Sequence, residues 1–529
     1  MSDFSYVFGI DLGTTFSAIS YIDEHGKPVV IPSQENRPIT PSVVYFSDDM
    51  KFLVGDEAVN MLKADPQNTV SFIKRQMGRP NFNYKIHDRA YNPQEISAII
   101  LKKLALDAKL YFLQLGLEVE VKDVVITVPA YFGMDQRGAT KEAGELAGLN
   151  VLMVMNEPTA AALAYGINKI GKDQNVFVFD LGGGTFDVTI LSIKDNNIWM
   201  VASDGDPELG GKDWDDDLLS YCAESFKNKY HSDPQDDPYS FQELYDRVLK
   251  AKISLSKMAK TNIVVSHDGK RETIEVQRKQ FESLTKDRLQ QCSRLCKNVL
   301  EKANMSWSDL DTILLVGGST YMPMVREMVR ELSGKEPSTD VNPDQCVAIG
   351  AAYQAKYRFI EEEFAKAKEL HGEVAAVSLK TKLLAGLKDI KIQECVAKSL
   401  GVILLDNNFA EYVHEMISEQ TDIPHIVKDT FHYAYDQQTS VKVEITEGFG
   451  KKRDDVALIG EVILDKLPPR PKGTPLEVLY KYNINKTLDV EIVDVETGIR
   501  TQGQVTLGGS MSKEEKKASQ DHISMMEQG

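Results

Sequence analysis

Two segments of the sequence combine aspartates, glycines and threonines in an order that could hold a phosphate. The first, residues 7–22, reads VFGIDLGTTFSAISYI, and the second, residues 176–191, reads VFVFDLGGGTFDVTIL. In both, an apolar run leads into an Asp-Leu-Gly turn and a second apolar run follows, so we predict two buried strands joined by a glycine turn. The residues available for binding are Asp11, Gly13, Thr14, Thr15, Asp180, Gly182, Gly183, Gly184, Thr185 and Asp187.

A glycine turn of this kind exposes backbone N–H groups that no Cβ covers, and such groups can cradle a phosphate. An aspartate beside a phosphate would repel it, so we expect a divalent cation, Mg²⁺, to bridge Asp11 or Asp187 to the phosphate oxygens through water. One copy of the pattern would favour an ordinary hairpin. Two copies with their aspartates in register favour two turns that grip one triphosphate from both sides.

A third glycine turn lies in residues 313–323, ILLVGGSTYMP, where a buried strand ends in Gly317, Gly318 and Ser319. A helix is predicted to follow, and the N-terminus of a helix after a glycine pair favours contact with an anion or a ribose. The pattern GxxxxGK[ST] is absent from the sequence, so this is not a P-loop protein.

Composition narrows the possible partners. The chain carries 61 Lys and Arg against 79 Asp and Glu, and this net charge of −18 argues against nucleic acid as the main partner. No apolar run approaches the ~20 residues of a membrane-spanning helix and no secretory signal is recognisable, so we expect no membrane association and a cytoplasmic location. Cys292 and Cys296 could share a metal at helical spacing, but buried thiols are the favoured interpretation.

Two kinds of pattern divide the chain into the parts that would position these turns. Residues 1–375 alternate strand-like and helix-like runs, which predicts an α/β domain whose sheets are covered by helices. A charged helix at 356–380 is expected to be a solvated spacer, with recruitment of a partner as the alternative. After a linker at 376–395, short alternating runs over 396–507 predict an all-β sandwich, and the polar residues 508–529 predict a flexible tail.

With these segments in place, the sequence resembles the heat-shock 70-kilodalton chaperone family, whose first domain has the two-lobed ATPase fold of actin and the sugar kinases. The matching segments are GIDLGTTFSA, VVITVPAYF, QRGATKEAGELAGL, NEPTAAALAYG, FDLGGGTFDVTIL, LGGKDWDDDL, LLVGGST and NPDQCVAIGAA. The resemblance covers residues 5–507 and is most specific over 1–355. It implies an actin-like α/β ATPase domain followed by a peptide-binding β-sandwich. The implied function is that of an ATP-dependent chaperone, which binds unfolded polypeptides and hydrolyses ATP to ADP slowly with Mg²⁺.

The resemblance also implies roles for individual residues. Lys74 matches the catalytic lysine of the family, facing the γ-phosphate and the attacking water, although a lysine alone would usually be a surface residue. Glu157 and Asp180 would orient waters, and Thr185 would add a phosphate contact. Further nucleotide-binding positions, besides those of the two glycine turns, are Lys252, Ser256, Gly317, Gly318, Ser319, Tyr321 and Asp344.

Residues outside the nucleotide site are implied as well. Pro129 and Arg137 match the region of the family that couples the two domains. Phe431, Ala434 and Val441 match positions that bind peptide, and plain sandwich core is the alternative for these three. The family also implies a co-chaperone or nucleotide-exchange factor as a possible partner.

The sequence departs from the family at several of these places. Leu249 and Ile253 stand where the family has a glutamate and an arginine, and Tyr321 stands where it has a second arginine. Because two stacked cations would be lost, we expect ATP binding to be weakened by roughly 10- to 100-fold. The linker reads DIKIQECV rather than a run of leucines, which predicts altered coupling. The chain stops about 20 residues past the sandwich, so we expect the helical lid to be missing and bound peptide to leave quickly.

Two other functions compete with the chaperone ATPase. A non-hydrolysing or weakly hydrolysing scaffold with a structural nucleotide site would explain the altered adenosine pocket and linker. Retention of Lys74, Glu157, Asp180, Thr185 and Asp187 favours hydrolysis instead. A small-molecule kinase on the same fold is disfavoured because the β-domain has no place in a sugar kinase.

Overall fold

The computed structural model describes residues 5–47, 51–79, 81–167, 169, 172–195, 197–388, 390–406, 408–483, 487–504, 511 and 513–528. The strands before the sandwich are β1 (Phe8–Leu12), β2 (Phe16–Ile22), β3 (Pro28–Ile31), β4 (Thr40–Pro41), β5 (Val44–Phe46), β6 (Lys51–Val54), β7 (Thr69–Val70), β8 (Tyr84–Ile86), β9 (Arg89–Tyr91), β10 (Asp123–Val128), β11 (Asn150–Asn156), β12 (Gln174–Leu181), β13 (Phe186–Lys194), β14 (Asn197–Asp206), β15 (Lys260–His267), β16 (Lys270–Gln277), β17 (Thr312–Val316) and β18 (Lys391–Gln393).

Helices separate many of these strands, as the alternating sequence pattern predicts. They are α1 (Asp56–Ala64), α2 (Pro93–Gln114), α3 (Met134–Leu146), α4 (Glu157–Gly166), α5 (Gly211–Tyr230), α6 (Pro238–Leu255), α7 (Arg278–Leu284), α8 (Lys286–Lys302), α9 (Pro323–Ser333), α10 (Cys346–His371) and α11 (Glu373–Leu383). Both buried cysteines of α8, Cys292 and Cys296, lie in the apolar core of the second lobe, which fits the favoured interpretation of structural thiols.

Two large sheets repeat one topology and define two lobes. The first has the order β11-β10-β1-β2-β3, with β4 paired to β2, and the second has the order β17-β12-β13-β14-β18. In each sheet an antiparallel hairpin, β1–β2 or β12–β13, lies beside a parallel strand, β10 or β17. Each hairpin turn is one of the glycine turns of the repeated sequence pattern, so the repeat in the sequence is a repeat of structure.

Helices α4 and α10 pack between the two lobes and join their cores. Val125 and Val178, one from each sheet, belong to a single buried cluster with Ala351 of α10. The contact between the helices is made by backbone: a Cβ on Gly350 of α10 would lie 1.8 Å from the carbonyl oxygen of Ala160 in α4. Only glycine permits this approach, and it fixes the lobes at the base of the cleft.

A small sheet covers the outer side of the first lobe. It contains β6, β5 and β7 in that order, and β7 leads within a few residues into a 3₁₀ turn, Ile73–Gln76, that carries Lys74. Helix α1 packs against this sheet and reaches across to α6 of the second lobe, where Lys63 forms an ion pair of 2.5 Å with Asp246. The small sheet therefore spans from the outer surface of the first lobe to the mouth of the cleft.

Two four-stranded sheets form a β-sandwich after the lobes. Its strands are β19 (Leu400–Leu405), β20 (Glu411–Ile417), β21 (His425–His432), β22 (Val441–Gly448), β23 (Val456–Leu464), β24 (Pro475–Tyr482), β25 (Leu488–Asp494) and β26 (Arg500–Gln504). The sheet orders are β20-β19-β22-β23 and β21-β24-β25-β26. Alternate residues of β24 and β25 point inward, and Tyr480 donates a hydrogen bond of 2.9 Å to the Gly401 carbonyl of the opposite sheet.

The linker joins the second lobe as a strand. Within the predicted linker, α11 is followed by β18, which pairs in parallel with β14 and brings Lys391 opposite Asn197 and Gln393 opposite Trp199. This pairing uses backbone hydrogen bonds, so it tolerates the lysine and glutamine that replace the leucines of the family. The lysine and glutamine of the linker are therefore compatible with its pairing to the sheet.

The sandwich contacts the first lobe through the turn before α3. Met134 packs into the sandwich core, and its backbone N–H donates hydrogen bonds of 3.2 Å to both carboxylate oxygens of Glu447. Beside this contact, Tyr131 stacks on Phe449 with ring centroids 6.4 Å apart, and the Lys398 ammonium lies 4.6 Å from the Tyr131 ring centroid. The lobe and the sandwich thus share one small apolar and charged interface.

The end of the chain differs from the predicted flexible tail. Part of residues 508–529 lies outside the described residues, but Lys513–Met525 form helix α12 and Glu527–Gln528 form strand β27. This segment packs on α2 and α3, and β27 extends the small sheet. The segment is mostly polar, but two of its apolar residues, Ile523 and Met526, are buried in the first lobe. Among the helices that the structure describes, none could cross a membrane.

Candidate active site

The two glycine turns meet across the cleft between the lobes. A Cβ placed on Gly183 would lie 2.1 Å from Thr15 Oγ1, and one on Gly184 would lie 2.4 Å from Thr14 Cγ2. Real Cβ atoms do not approach other atoms so closely, so the threonine turn of the first lobe fits only against a glycine turn in the second. The repeated sequence pattern therefore builds one site from two halves.

A cavity of about 560 Å³ opens between these turns. Most residues predicted to bind nucleotide or to act in catalysis line it, namely Asp11, Gly13, Thr14, Thr15, Lys74, Glu157, Asp180, Gly182, Gly183, Thr185, Lys252, Ser256, Gly317, Gly318, Ser319, Tyr321 and Asp344. The two others adjoin lining residues: Gly184 lies against Thr14, and Asp187 pairs with Asp180 across the β12–β13 hairpin. A cavity of this size is in the range of small-molecule and cofactor sites.

Buried acids crowd one end of the cavity. Asp180 and Asp187 face each other across β12 and β13, and Asp11 comes from the matching strand β1. Burial, followed by the charge of Glu157, raises the pKa of both Asp11 and Asp187 to about 7, and the same two causes raise the pKa of Asp180. Acids held this close are costly when all are ionised, so the site is built to receive positive charge.

Few hydrogen bonds from the protein offset that cost. Asp11 Oδ1 accepts a hydrogen bond of 3.3 Å from Thr127 Oγ1, and Asp187 Oδ1 accepts one of 3.1 Å from the Tyr131 backbone N–H. The ammonium of Lys74 lowers the pKa of both aspartates, but burial outweighs it. Carboxylate oxygens with unused acceptor capacity are the ligands that Mg²⁺ prefers.

Lys74 reaches the acids from the 3₁₀ turn beneath the small sheet. It is 4% exposed and its ammonium forms an ion pair with Glu157 Oε1. The preceding Phe72 adopts a left-handed backbone conformation with φ 58°, which turns the chain so that Lys74 points into the cleft. The Lys74 ammonium also lies 5.9 Å from the centroid of the Phe132 ring. This lysine is buried and paired, unlike a solvated surface lysine.

The opposite end of the cavity is formed by α6 and the third glycine turn. Lys252 Nζ donates hydrogen bonds of 2.7 Å to the Gly211 carbonyl and 2.8 Å to Asp215 Oδ2. Ser319 Oγ donates one of 2.8 Å to the Gly182 carbonyl, which ties the third turn to the second. The three turns and α6 thus form one connected wall.

Leu249, Ile253 and Tyr321 also line this end. Ile253 and Tyr321 are each 55% exposed, and Tyr321 donates a hydrogen bond of 3.1 Å to Asp344 Oδ2. Burial and the Asp344 charge raise the pKa of Tyr321 to about 12, so the hydroxyl stays a donor at neutral pH. Among the described residues that line the cavity there is no arginine.

Sequence reasoning missed two cations near the second turn, Arg75 and Lys212. Arg75, next to Lys74, donates a hydrogen bond of 2.9 Å from Nε to the Gly184 carbonyl and forms an ion pair of 2.5 Å with Asp213. Lys212 lines the cavity from the start of α5. A sequence signal for Lys212 and Asp213 was present, because both lie in the segment LGGKDWDDDL that matches the family. Nothing else in that segment indicated a role in binding or catalysis.

The residues predicted to couple the domains lie behind the acids. Arg137 is 6% exposed and donates hydrogen bonds to the carbonyls of Phe132 and Ala130, of 3.0 and 3.3 Å. It thereby fixes the turn that begins at Pro129, whose carbonyl accepts a hydrogen bond of 3.2 Å from the Phe132 N–H. The same turn contacts Asp187 on one side and the sandwich on the other.

The three residues predicted to bind peptide do not form one cluster. Phe431 lies on β21, half-buried, with its ring 5.3 Å from the ring of His414. Val441 begins β22 in the other sheet and is 9% exposed, while Ala434 lies in the loop between these strands. Phe431 and Val441 both pack against the sandwich core, so the core alternative remains open for them.

Comparisons with known proteins agree with this architecture. A family model described as Hsp70 protein matches residues 7–528. Chaperone protein DnaK of Thermotoga neapolitana is 40% identical over 518 residues, which is 96% of this chain and 82% of the relative. Chaperone protein DnaK of Thermosipho africanus is 40% identical over 510 residues, or 95% and 80% of the two chains. The resemblance and the fold class predicted from the sequence are confirmed, and the chain belongs to the Hsp70 family.

Proposed function

We propose that the cleft binds ATP with its phosphates between the two glycine turns and its adenosine against α6 and the third turn. Membership of the Hsp70 family makes the chain an ATP-dependent chaperone that hydrolyses ATP with Mg²⁺ and binds unfolded polypeptide segments. The observation that carries the assignment of the site is the contact of Gly183 and Gly184 with Thr15 and Thr14. The alternative of a non-hydrolysing scaffold is not favoured.

The acids at the end of the cavity fit a magnesium ion. Asp11 and Asp187 would hold it through water, since burial raises the pKa of both and leaves their oxygens with few donors. When bound, Mg²⁺ neutralises charge on the phosphates and orients them for attack. The hydroxyls of Thr14, Thr15 and Thr185 supply further contacts for the phosphate oxygens.

Hydrolysis in this site would depend on position and charge rather than on a covalent nucleophile. Lys74 places its ammonium beside the γ-phosphate, and its ion pair with Glu157 holds it at that end of the cavity. Glu157 and Asp180 orient the attacking water with their carboxylates. A fixed charge of this kind is worth ~10²–10³ in rate.

The adenosine end supports weaker binding than the family pattern would give. Lys252, Ser256, Gly317 and Gly318 supply polar and backbone contacts, but Ile253 and Tyr321 replace the two stacking arginines. Each stacked cation is worth ~0.5–2 kcal/mol. The ring of Tyr321, held by Asp344, recovers part of that energy.

Unfolded peptide would bind the sandwich in an extended conformation. Phe431, Ala434 and Val441 are the positions that the resemblance assigns to this contact. Signals between the two sites would pass through the turn that Arg137 fixes, because it contacts Asp187 of the cleft and lies beside Glu447 of the sandwich. We place this activity in the cytoplasm, with a co-chaperone or exchange factor as a further partner.

Single-turnover hydrolysis of Mg·ATP, with and without an unfolded peptide, tests this proposal. We expect Lys74→Ala to lower the rate by ~10²–10³. The matched control is Lys85→Ala, which removes an exposed lysine of the same lobe and should leave the rate unchanged. Acceleration by peptide would support coupling of the two sites. Turnover that survives in Lys74→Ala would overturn the role of this lysine, and turnover insensitive to peptide would overturn the coupling.

A further inference from the structure

Residues 513–528, which we call the docked segment, are held against the first lobe by a buried apolar contact. Ile523 and Met526 are 1% and 3% exposed and belong to the same core cluster as Phe52 of β6 and Tyr91 of β9. Met525, between them, is 71% exposed. One face of the segment is therefore part of the lobe's core and the other faces solvent.

Polar contacts fix the register of the docked segment. Ser519 Oγ donates a hydrogen bond of 2.7 Å to Glu95 Oε1, and Glu95 is itself 2% exposed. His522 Nε2 lies 3.1 Å from the Tyr91 hydroxyl. Lys102 Nζ donates hydrogen bonds of 2.8 Å to the carbonyls of Ile523 and Met526, at the end of α12 where a cation is favourable. Specific buried partners of this kind distinguish a built contact from an adventitious one.

The segment also connects two parts of the lobe. Its N-terminal half reaches α3, where Lys516 forms an ion pair with Glu145 and Gln520 Nε2 donates a hydrogen bond of 3.3 Å to the Glu145 carbonyl. Its C-terminal end pairs with the small sheet, with Glu527 opposite Lys51 and Gln528 opposite Phe52. The docked segment thereby links the small sheet to α3, the helix that follows the turn contacting Asp187.

The small sheet in turn carries Lys74. From the docked segment the strand order is β27-β6-β5-β7, and β7 ends at Val70, four residues before Lys74. Val44 of β5 pairs with Val54 of β6 on one side and with Val70 on the other. A continuous ladder of backbone hydrogen bonds therefore runs from the docked segment to β7, which the chain leaves to enter the turn that presents the lysine.

We propose that the docked segment is a positioning element for hydrolysis: by binding the outer strand of the small sheet and α3 together, it holds Lys74 in place against Glu157. This inference rests on the proposed role of Lys74. Misplacement of a catalytic group by about 1 Å can cost up to ~10²-fold in rate, so loss of docking lowers the rate of the chemical step. The adenosine contacts lie on other elements, so ATP affinity is unaffected.

Adjacent methionines provide a matched pair of full-length variants. Met526→Asp places a charge in the buried contact, whereas Met525→Asp places the same charge on the exposed face. We expect Met526→Asp to lower the single-turnover rate about 10-fold while the Kd for ATP stays within about twofold, and Met525→Asp to match the parent. Lys102→Met, which removes both carbonyl contacts, is a second variant that should lower the rate in the same way.

Rescue in trans separates positioning from folding. A chain ending at residue 510 should hydrolyse ATP about 10-fold slower, and a synthetic peptide of residues 511–529 should restore the rate at concentrations where its fluorescence anisotropy shows binding. The same peptide carrying Met526→Asp should neither bind nor restore. Peptide that binds without restoring the rate, or Met526→Asp with the parent rate, overturns the inference. If Met526→Asp is normal while Lys74→Ala abolishes turnover, the proposed site stands and only the inference fails.

Discussion

The acids of the cleft and the buried aspartate of the sandwich are both shielded from water, yet their pKa values move in opposite directions. Burial alone would raise the pKa of Asp494, but hydrogen bonds from Arg470 and Thr497 outweigh it and hold that pKa well below the usual range. Arg470 Nη2 and Nε donate at 2.7 and 3.0 Å to the two carboxylate oxygens, and the Tyr433 hydroxyl donates at 2.7 Å. Asp494 is fully satisfied by the protein.

The carboxylates of the cleft are not satisfied by the protein in this way. Asp11, Asp180 and Asp187 share the Lys74 ammonium with Glu157. Arg137 also lowers the pKa of Asp187, but burial raises the pKa of all three aspartates. The difference teaches how to distinguish a structural acid from a binding acid of the same type. A carboxylate that is paired with its own guanidinium stabilises the fold. Buried carboxylates that outnumber the nearby cations destabilise it electrostatically, and a bound cation relieves that repulsion.

Asp494→Asn gives the largest expected effect, because it removes the buried carboxylate that accepts two hydrogen bonds from Arg470. We expect the sandwich to lose about 3–5 kcal/mol in its free energy of unfolding, measured by urea denaturation. Glu496→Gln is the matched control, since Glu496 contacts the same Arg470 at 3.0 Å but is 55% exposed, and it should cost at most about 1 kcal/mol. Equal losses in the two variants would remove the contrast on which the comparison rests.

The pH dependence of stability should differ between the two regions. Asp11 and Asp187 have pKa values raised to about 7, so the stability that their protonated forms contribute is lost as the pH rises through about 7. We expect the nucleotide-free lobes to lose about 2–4 kcal/mol between about pH 5 and pH 8, measured by calorimetry, and Asp187→Asn to reduce that slope. Saturating Mg·ATP should also reduce it.

Asp494 provides the control for this experiment. Its lowered pKa means that its contribution to stability is present above its ordinary pKa of about 4 and is lost only as the pH falls through the lower folded value. Asp494→Asn should therefore leave the slope between about pH 5 and pH 8 unchanged. A sandwich transition that follows the cleft over this range would contradict the distinction between the two kinds of acid.

The adenosine end offers a smaller test, in which cations are added to the cleft. Ile253→Arg combined with Tyr321→Arg should tighten ATP binding by roughly 10- to 100-fold, measured by isothermal titration, because stacked cations hold the base. Tyr239→Arg adds one such charge at the far end of α6, outside the cavity, and should have no effect. Tightening in that control would point to general electrostatic attraction instead.

Substitution of Glu447 should give the smallest effect. This residue lies between the cleft and the sandwich core, so it tests the comparison where the two regions meet. Burial raises its pKa, as in the cleft, but it accepts two hydrogen bonds from the Met134 N–H. Glu447→Gln should weaken contact of the sandwich with the lobe by about 1 kcal/mol and raise the rate of trypsin cleavage near Lys391 about fivefold. Glu444→Gln, on the same strand, should leave cleavage unchanged, and equal rates in both would exclude Glu447 from the interface.

The glycine turns and the order of the two domains could be predicted because local residue types encode them. Gly183 and Gly184 are required by close approach, and the alternating runs of the sandwich match its strand period. Two features could not be predicted, because each leaves little pattern in the sequence. The linker strand pairs through its backbone, which leaves no pattern in its side chains. The docked segment has two buried apolar residues, Ile523 and Met526, and they pack against a surface about 400 residues earlier in the chain.

The contact between the two glycine turns has a consequence for the order of events in biosynthesis. Thr14 and Gly184 are separated by about 170 residues of sequence, and the third turn follows about 130 residues later. Contacts of such separation form only after long loops close, so they come late in folding. A chain still emerging from the ribosome therefore has no complete nucleotide site until the third turn is made. ATP can therefore bind and stabilise only the completely folded pair of lobes. Nucleotide binding thus reports complete folding of a protein that itself assists folding.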